Sequence, residues 1–486
     1  MWTLIVTHWA QFLAIVSALI ATVAAAHAAM TKDEVRSAVG WVGVILLSPF
    51  VGALLYAIAG INRVRRVSIA AERSAAGREV LEHPRFDATD DAVTSRFGRR
   101  FAALKTAGDR ITRHALTTAN AVTMLETGDE AYAAMIGAIS AARRSVVLET
   151  YIFDRDPVGL RFADALIEAT RRGVAVRVLI DAVGARYSVP SIVGRLREGG
   201  VTTRVFNGRI ITGLRLPYAN LRTHRKILVI DGAVGFVGGM NIRQGFTAEF
   251  AGAEMARDTH FRIEGPVIAD IFSIAAEDWY FASSERLHGD AWRIASEAAG
   301  EPGSPMFMRA LPSGPDASLE ANHKMLMAAF SVARRSIRIM SPYFLPDREL
   351  ISALTTAARR GVDIDIVVPS ANNLVLVDRA MTAQFDQVVR SYCRVWRSQG
   401  PFDHSKLLAV DSTWAFVGSS NLDPRSLRLN FEIDLELLDA GFAGRIESRI
   451  EAAIDSAVEV TLASLRARPI LERLIDRVLW LGSPYL

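Results

Sequence analysis

An internal duplication limits what this chain of 486 residues can fold into more than any other feature of its sequence. Residues 140–145 read Ser-Ala-Ala-Arg-Arg-Ser, residues 331–336 read Ser-Val-Ala-Arg-Arg-Ser, and a short apolar run follows each of them. In both copies an aromatic turn, a helical stretch ending in Arg-Arg-Gly-Val and a second β-rich run come next, in the same order. Alternating strands and helices predict βαβ units, and a repeated unit predicts a repeated architecture. We therefore expect an α/β fold of two pseudo-twofold-related lobes with mixed, largely parallel sheets.

Changes in composition divide the chain into four segments. A cluster of Pro, Gly and Ser at residues 301–305 has the composition of a connecting segment and predicts the boundary between the two copies. An Arg-rich, weakly patterned stretch precedes the first copy. The predicted division is an N-terminal transmembrane helical hairpin (1–62), a connector (63–115), a first lobe (116–300) and a second lobe with a C-terminal helix (301–486).

Each copy contains the pattern His-x-Lys-x4-Asp followed by a second strand. In a strand, residues i and i+2 point to the same face, so the His and Lys of each pattern are predicted to project together. Two of the five lysines of the chain fall on these positions, although arginine is by far its commoner cation. The residues that we expect to be catalytic are His224, Lys226 and Asp231 in the first copy and His404, Lys406 and Asp411 in the second.

The two patterns together suit chemistry at a phosphate group. If the lobes face each other, one imidazole can attack phosphorus while the other protonates the leaving alkoxide and later deprotonates the acceptor. The lysines can stabilise the charge that develops on the phosphate oxygens. A Gly- or Ser-containing turn and an Asn follow each pattern, so Gly239, Asn241, Ser419 and Asn421 are predicted to bind substrate. Carboxylates hold histidine tautomers, and Asp258 and Glu432 are the candidates for this role.

The N-terminal region has the composition of a membrane anchor. The chain has no charged residue before Lys32, and a second uncharged run covers residues 37–62. Because a bilayer requires about 20 apolar residues as a helix, two spans are predicted rather than a cleaved signal peptide, for which Ala26-His27-Ala28 is the rival cleavage site. Arg63, Arg65 and Arg66 follow the second run and predict a multi-pass protein of the inner (plasma) membrane whose catalytic body is cytoplasmic.

Several classes of site are not expected. The single cysteine, Cys393, excludes a disulfide within the chain and a thiolate metal cluster, and the nine histidines show no HExxH spacing. We therefore predict no metal and no cofactor. An apolar stripe at helical spacing near the C-terminus, formed by Leu471, Leu474, Ile475, Val478 and Leu479, is expected to pack on the body rather than to contact a membrane.

The two patterns and their surroundings resemble the phospholipase D superfamily, and more closely its bacterial cardiolipin synthases. The most specific stretch is Gly418-Ser-Ser-Asn-Leu-Asp-Pro-Arg-Ser426 with Asn430-Phe-Glu432, and the resemblance extends from about residue 115 to the C-terminus. It implies two phospholipase D-like lobes and a metal-independent mechanism with a phosphohistidine intermediate. By this resemblance His224 is the nucleophile and His404 the general acid and base.

The resemblance implies a membrane-bound phosphatidyltransferase that condenses two phosphatidylglycerols into cardiolipin and glycerol. The chain departs from the family pattern at Ala256 and at residues 242–246, where synthases often carry an aromatic and an acidic stretch, and this concerns the acceptor more than the chemistry. The alternatives are a hydrolase of phosphodiesters, such as a phospholipase D or a nuclease, and a non-catalytic lipid-binding scaffold. The membrane segment disfavours a nucleic-acid partner, and the oligomeric state stays open.

Overall fold

The computed structural model of the chain describes residues 2–32, 34–60, 86–207, 221–295 and 306–483. They fall into two compact units, an N-terminal one whose described part ends at residue 60 and a larger one whose described part begins at residue 86. The predicted lobe boundary at residues 301–305 and the arginines Arg63, Arg65 and Arg66 lie outside the described residues.

The first apolar run forms one long helix, Trp2–Thr31. Its segment His8–Thr31 has 24 residues and is apolar enough to cross a bilayer, which requires about 20 helical residues. The predicted N-terminal apolar helix is therefore confirmed.

The second apolar run is not one continuous helix. It forms the helices Val35–Leu47 and Pro49–Leu55, followed by a π-helical turn at Tyr56–Gly60. Ser48 separates the helices with φ −145° and ψ 79°, because the ring of Pro49 disfavours helical backbone at the preceding residue and supplies no N–H to continue the helix. Within the described residues one helix has the length and composition to span a bilayer, so the second predicted span is not a single continuous helix and stays a prediction.

The N-terminal helices nevertheless pack against each other. Ala21 and Ala28 of the first helix are buried together with Ile45 and Tyr56, and small side chains on the first helix allow this close approach. The hydroxyl of Tyr56 lies 2.7 Å from Nδ1 of His27. The segment is thus a helical hairpin whose returning arm is broken at Ser48.

The larger unit is built on one mixed sheet, and the first eight of its strands belong to the first copy. These are β1 (Thr117–Leu125), β2 (Ser145–Thr150), β3 (Ala175–Asp181), β4 (Thr202–Phe206), β5 (Arg222–Thr223), β6 (Ile227–Ile230), β7 (Val234–Gly238) and β8 (His260–Glu264). The second copy supplies β9 (Met306–Ser313), β10 (Ser336–Met340), β11 (Asp363–Pro369), β12 (Cys393–Ser398), β13 (Leu407–Val410), β14 (Trp414–Gly418), β15 (Asn430–Leu438) and β16 (Val458–Glu459).

The strand order is the same in both copies when it is read outward from the centre. The first copy runs β1-β8-β7-β6-β2-β3-β4, and the second runs β9-β15-β14-β13-β10-β11-β12, with β16 added at its edge. Antiparallel pairing of β1 with β9 joins the two halves into one sheet. This arrangement confirms the mixed α/β fold with two repeated lobes.

The balance of strand directions differs from the prediction. Parallel pairing occurs between β2, β3 and β4, between β10, β11 and β12, and between β5 and β15. The other described pairs, which are more numerous, are antiparallel. The reason is local: the strand after each His-x-Lys pair returns through a tight turn, and such a hairpin can only be antiparallel. The sheet is therefore mixed but not largely parallel.

Helices cover the sheet and form a separate core in each copy. The helices of the first copy are Gly128–Ala141, Pro157–Arg171, Ile192–Glu198, Ala248–Ala251 and Val267–Ser283. Those of the second copy are Ala321–Val332, Arg348–Arg359, Val375–Val389, Pro424–Arg428, Ala440–Asp455, Leu462–Ala467 and Ile470–Leu481. Matching N-caps begin two of them, since Asp156 accepts from the N–H of Gly159 and Asp347 from that of Leu350.

The described part of the connector forms two helices, Asp90–Phe97 and Arg99–Ile111. Phe101 and Leu104 belong to the core of the second copy, and Arg100 forms an ion pair with Asp411. The connector thus packs on the lobe that is farther from it in the sequence.

The C-terminal helix Ile470–Leu481 turns its apolar stripe to the outside and not toward the body as expected. Leu471, Leu474, Ile475 and Val478 of the predicted stripe are exposed, and Leu479 is half-buried. Asp476 is buried instead, where it forms ion pairs with Arg379 and Arg468. The prediction that the stripe packs on the body is therefore wrong for four of its five residues.

Candidate active site

Two histidines reach one cavity from opposite halves of the sheet. His224 lies between β5 and β6, and its backbone N–H donates to the carbonyl of Phe431 at 2.9 Å. His404 lies just before β13, and its backbone N–H donates to the carbonyl of Arg257 at 2.7 Å. Both side chains line a cavity of about 610 Å³. The structure thus brings the two predicted histidines together.

Each imidazole is held by a carboxylate of the other lobe. Nδ1 of His224 lies 3.0 Å from Glu432, and Nδ1 of His404 lies 2.8 Å from Asp258. Both carboxylates are fully buried. A carboxylate at Nδ1 favours the tautomer that carries its proton there, so the assigned state leaves the Nε2 lone pair of each ring available for reaction. The two predicted orienting residues are in place, and they are exchanged between the lobes.

The surroundings of His404 include a second possible partner for Nδ1. Nζ of Lys406 lies 2.9 Å from this nitrogen and also hydrogen-bonds to the carbonyl of the same histidine. Nδ1 cannot donate to Asp258 and accept from Lys406 at once. We assign the proton to Nδ1, because an ionised carboxylate can only accept a hydrogen bond, whereas Lys406 keeps the carbonyl of His404 as its own acceptor.

Burial keeps both imidazoles neutral. It lowers the pKa of His404 to about 4, and the charge of Lys406 adds to this effect. Burial also lowers the pKa of His224, although Glu432 opposes the shift. A neutral imidazole has the free lone pair that a nucleophile or a general base needs.

The two lysines of the patterns are buried beside the histidines, with Nζ of Lys226 2.6 Å from the carbonyl of His224. Burial lowers the pKa of Lys226 to about 7 and that of Lys406 to about 8, while nearby carboxylates, including Glu432, oppose both shifts. The low pKa values show that the nearby carboxylates do not make up for the water lost by burial. An anionic phosphate would stabilise the ammonium forms further.

Glu432 is kept ionised by what surrounds it. Burial favours its neutral form, but the Nδ1–H of His224, the charge of Lys226 and the hydroxyl of Ser419 together leave the pKa of Glu432 below its usual value. The hydroxyl of Ser419 donates to this carboxylate at 2.6 Å, and the amide of Asn430 donates at 3.3 Å. Ser419 therefore binds Glu432, and the structure does not place it among the cavity-lining residues as its predicted role in substrate binding requires.

Of the other three residues predicted to bind substrate, two line the cavity and one does not. Asn241 and Asn421 line the cavity, and Oδ1 of Asn241 accepts from the N–H of Ile152 at 3.1 Å. This contact turns the amide of Asn241 so that its NH₂ group is the end left to donate. Gly239 lies against Asp258, where a Cβ would come within 2.5 Å of the carboxylate.

The last residue of each pattern lies away from the cavity. Oδ1 of Asp231 accepts from the N–H groups of Arg144 and Ser145 at 2.7 and 2.9 Å. Oδ1 of Asp411 accepts in the same way from Arg335 and Ser336, at 2.7 and 3.0 Å. The predicted catalytic position of Asp231 and Asp411 is thus corrected: they connect the turn after β6 or β13 to the start of β2 or β10, and β6 and β13 begin only after the Lys of the pattern.

Aromatic and basic residues complete the cavity, and motif reasoning did not assign them to it. The ring of Tyr151 lies 5.1 Å from that of His224, and the ring of Tyr343 lies 6.2 Å from that of His404, between centroids. Both tyrosines belong to the aromatic turns that the duplication singled out, so their repetition was the available signal. Arg222, Arg243 and Arg425 also line the cavity. Arg425 lies in the family-specific stretch 418–426, but no role was assigned to it, and the spacing of the other two did not mark them.

A metal would find few ligands in the described part of the chain. One group there, His323, Asp347 and Glu349, brings imidazole and carboxylate atoms within 4.8 Å of one another. None of the three lines the cavity of the catalytic histidines. Asp347 already caps a helix, and Nε2 of His323 lies 2.9 Å from it.

Comparison with known proteins identifies the family of the chain. The sequence profile of the family described as "Cardiolipin synthase, PLD-like domain" matches residues 135–272 and 326–454, one stretch in each lobe. A second profile, "Phospholipase D-nuclease N-terminal", matches residues 18–60. The fold resembles the crystal structure of a phosphatidylserine synthase from Haemophilus influenzae, with a TM-score of 0.60 and 16% identity over 79% of this chain and 100% of that one.

Curated relatives match along nearly the whole chain. Cardiolipin synthase A of Pseudomonas aeruginosa is 34% identical over 470 residues, which cover 96% of this chain and 94% of the relative. Cardiolipin synthase A of Pseudomonas putida is 33% identical over 474 residues, which cover 96% of each. By sequence along both lobes and by fold, the chain belongs to the cardiolipin synthase family of phospholipase D-like proteins.

Proposed function

We propose that this phosphatidyltransferase condenses two phosphatidylglycerols into cardiolipin and glycerol through a phosphohistidine. The observation that carries the proposal is the pair of neutral imidazoles, one from each lobe, that line a single cavity, each held at Nδ1 by a buried carboxylate. Two imidazoles allow one to be the nucleophile and the other to move the proton. The family membership and the phosphatidyltransferase relatives favour this reading over hydrolysis.

In the first half-reaction, Nε2 of His224 attacks the phosphorus of the donor phosphatidylglycerol. The bond from phosphorus to the glycerol oxygen breaks, and His404 must supply the proton that glycerol takes with it. His404 is neutral in the empty site, so it has to take up a proton when the anionic substrate binds. The products are a phosphatidyl group on His224 and free glycerol.

In the second half-reaction, His404 accepts the proton from a hydroxyl of the second phosphatidylglycerol. The resulting oxygen nucleophile attacks the phosphorus, the bond to Nε2 breaks, and His224 is regenerated as cardiolipin forms. Protons and phosphoryl groups balance over the two steps, and no nucleotide is consumed.

The charges of the cavity support this chemistry. Lys226, Lys406 and the NH₂ groups of Asn241 and Asn421 are suited to donate to the non-bridging phosphate oxygens, where charge develops. Three further cations, Arg222, Arg243 and Arg425, line the same cavity. Asp154, Asp156 and Asp423 line the cavity as well, so it presents charges of both signs to its substrates.

We further propose that the protein is a multi-pass protein of the inner membrane with its catalytic body on the cytoplasmic face. The helix Trp2–Thr31 supports the first crossing. The shorter helices Val35–Leu47 and Pro49–Leu55 supply the return only together, as a kinked span. The arginines after residue 62 support the orientation.

The test uses purified full-length protein in vesicles of phosphatidylglycerol, with a chelator present and no nucleotide. We expect cardiolipin and glycerol in equal amounts, with His224→Ala and His404→Ala each losing at least about a thousandfold in rate. His288→Ala is the matched control, because His288 is exposed and does not line the cavity. Phosphatidic acid as the main product would identify a hydrolase, and substantial activity of either active-site variant would refute the two-histidine mechanism.

A further inference from the structure

The C-terminal helix Ile470–Leu481 carries its apolar side chains on the outside. Leu471, Leu474 and Val478 are 65%, 59% and 59% exposed, and Ile470, Ile475 and Leu481 are exposed as well. At 100° per residue these six positions fall within a 140° arc of the helix. Apolar residues collected on one exposed face require a partner, because scattered single exposures are common and a contiguous patch is not.

The face of this helix that meets the body is partly polar. Asp476 is buried there and forms ion pairs with Arg379 and Arg468, and Leu479 and Trp480 pack against the core of the second lobe. The helix is therefore fixed by an ionic contact with its apolar face turned away from the protein. Rotation to bury that face would remove Asp476 from both arginines.

The helix that packs against the C-terminal helix begins at the mouth of the active-site cavity. Helix Val375–Val389 packs against the C-terminal helix, and its Arg379 is the partner of Asp476. One turn before Arg379, Val375 is 64% exposed, and its neighbours Leu374 and Leu376 are exposed too. Leu374 also lines the cavity. Exposed apolar side chains thus lie at the rim of the cavity, on the helix against which the C-terminal helix packs.

The first lobe supplies the opposite part of this rim. Tyr187 lines the cavity and is exposed, and Val189 is 93% exposed. Their loop follows β3, as the loop before Val375 follows the equivalent strand β11. The pseudo-twofold symmetry therefore places exposed apolar side chains on both sides of the mouth.

We propose that the rim (Tyr187, Val189 and residues 374–376) and the outer face of helix Ile470–Leu481 form one lipid-docking surface that dips into the membrane interface. A lipid surface fits better than a second protein, because Tyr187 and Leu374 belong both to the exposed rim and to the lining of a cavity that binds phospholipid, an argument that rests on the proposed function. Arg473 and Arg477 flank one edge of the apolar arc, as cations do on helices that lie on anionic membranes. Docking lets a phospholipid enter the cavity without leaving the bilayer.

The direct test places a fluorescent label on single cysteines of the full-length protein in phosphatidylglycerol vesicles. Leu474→Cys and Leu376→Cys are the test positions, and Arg171→Cys is the control, because Arg171 is exposed at the opposite edge of the sheet, just before β3. The native Cys393 is buried. We expect lipids brominated in the acyl chain to quench the label at 474 and 376 but not at 171. Labels that stay unquenched would overturn the proposal. A disulfide that joins two copies through the new cysteine at position 474 before labelling would overturn it as well.

The functional test compares two forms of the substrate. Leu474→Glu with Val478→Glu is expected to lower the rate on bilayer phosphatidylglycerol at least about tenfold, and to leave the rate on short-chain monomeric phosphatidylglycerol unchanged. Leu474→Met with Val478→Ile is the matched control. A Glu variant that keeps the wild-type rate on the bilayer form, or that loses the same fraction of the wild-type rate on both forms, refutes docking while the proposed function stands. If the wild type makes cardiolipin from neither form, the proposed function fails, and the quenching experiment still decides on docking.

Discussion

The two carboxylates that hold the histidines differ in length and in what surrounds them. Glu432 also accepts from the hydroxyl of Ser419, whereas Asp258 faces Gly239 at the equivalent position. Any side chain at Gly239 would collide with Asp258, since an added Cβ would lie 2.5 Å from its carboxylate. The sequence suggested that Gly239 and Ser419 approach the phosphate; their positions indicate that they accommodate the two carboxylates instead.

The lysines give the site a testable pH dependence. Their pKa values in the empty site are about 7 for Lys226 and about 8 for Lys406, against 10.5 for the free side chain. An anionic phosphate binds the ammonium forms, so these pKa values rise on binding and substrate uptake is coupled to proton uptake. As the pH increases above about 7, the free site loses these protons and binding weakens. KM for phosphatidylglycerol is therefore expected to rise with pH, by up to about tenfold per unit between the two pKa values and by up to about a hundredfold per unit above the higher one.

Steady-state kinetics on vesicles between pH 6 and 9 measure this effect. Lys226→Arg is the informative control, because a guanidinium keeps its proton throughout this range. The variant is expected to lose the lower of the two inflections in the KM profile, even if its kcat falls. A KM that stays flat in the wild type across this range would contradict the assignment of lysines with low pKa values to the phosphate site.

At the scale of elements, the final Asp of each pattern holds a turn against the neighbouring strand by hydrogen bonds. Asp231 and Asp411 adopt positive φ values of 53° and 54°, at the point where the strand turns back. Their carboxylates accept from successive N–H groups at the start of a neighbouring strand, including those of Ser145 and Ser336. The spacing of four residues after the Lys therefore reflects the length of the buried strand and not the geometry of the catalytic site.

Removing these carboxylates is expected to reduce stability and to leave the chemistry intact. Asp231→Gly and Asp411→Gly relieve the positive φ and delete only the acceptor, so each should lower the free energy of unfolding by about 1–3 kcal/mol. Asp→Ala variants add strain at the positive φ and should be less stable still. Thermal unfolding measures the first effect and kcat per folded molecule the second. A variant of normal stability with strongly reduced kcat would restore a catalytic role for these residues.

Periodicity identified the repeated elements but not all of their contacts. The duplication predicted the order of helices and strands, and the length of the first apolar run predicted the first helix. Pro49 could have predicted the break of the second apolar run at Ser48. A count of apolar residues did not reveal this break. The C-terminal stripe illustrates a limit of another kind: its helical spacing shows which residues share a face, but the ion pairs of Asp476 decide which face meets the body.

At the scale of the whole molecule, the active site exists only when the two lobes meet. His224 and Glu432 are 208 residues apart, and His404 and Asp258 are 146 apart. Sequence reasoning selected all four residues because each lies in or near a motif, but it could not pair them. The pairing depends on how β15 meets β5 and how Arg257 meets Asp403 across the lobe interface. Each lobe thus provides the orienting carboxylate for the other lobe's histidine.

This exchange predicts which variants share a phenotype. If His224 is the nucleophile and His404 the general acid, Glu432→Gln acts on nucleophilic attack and Asp258→Asn acts on protonation of the leaving group. A phosphatidyl ester of p-nitrophenol needs no general acid, because its leaving group is a stable anion. Release of p-nitrophenolate, followed by absorbance, is therefore expected to be near the wild-type rate for the initial burst of His404→Ala and Asp258→Asn. The same burst should be absent in His224→Ala and severely reduced in Glu432→Gln.

The grouping of variants tests the cross-lobe pairing itself. With pairing across the lobes, Asp258→Asn is rescued by the activated ester, although this residue lies in the same lobe as the nucleophile. With pairing inside each lobe, Glu432→Gln would be the rescued variant and Asp258→Asn would remain slow. If the activated ester rescues His224→Ala in place of His404→Ala, the roles of the two histidines are reversed while the exchange of carboxylates still holds, because each carboxylate then follows its own histidine.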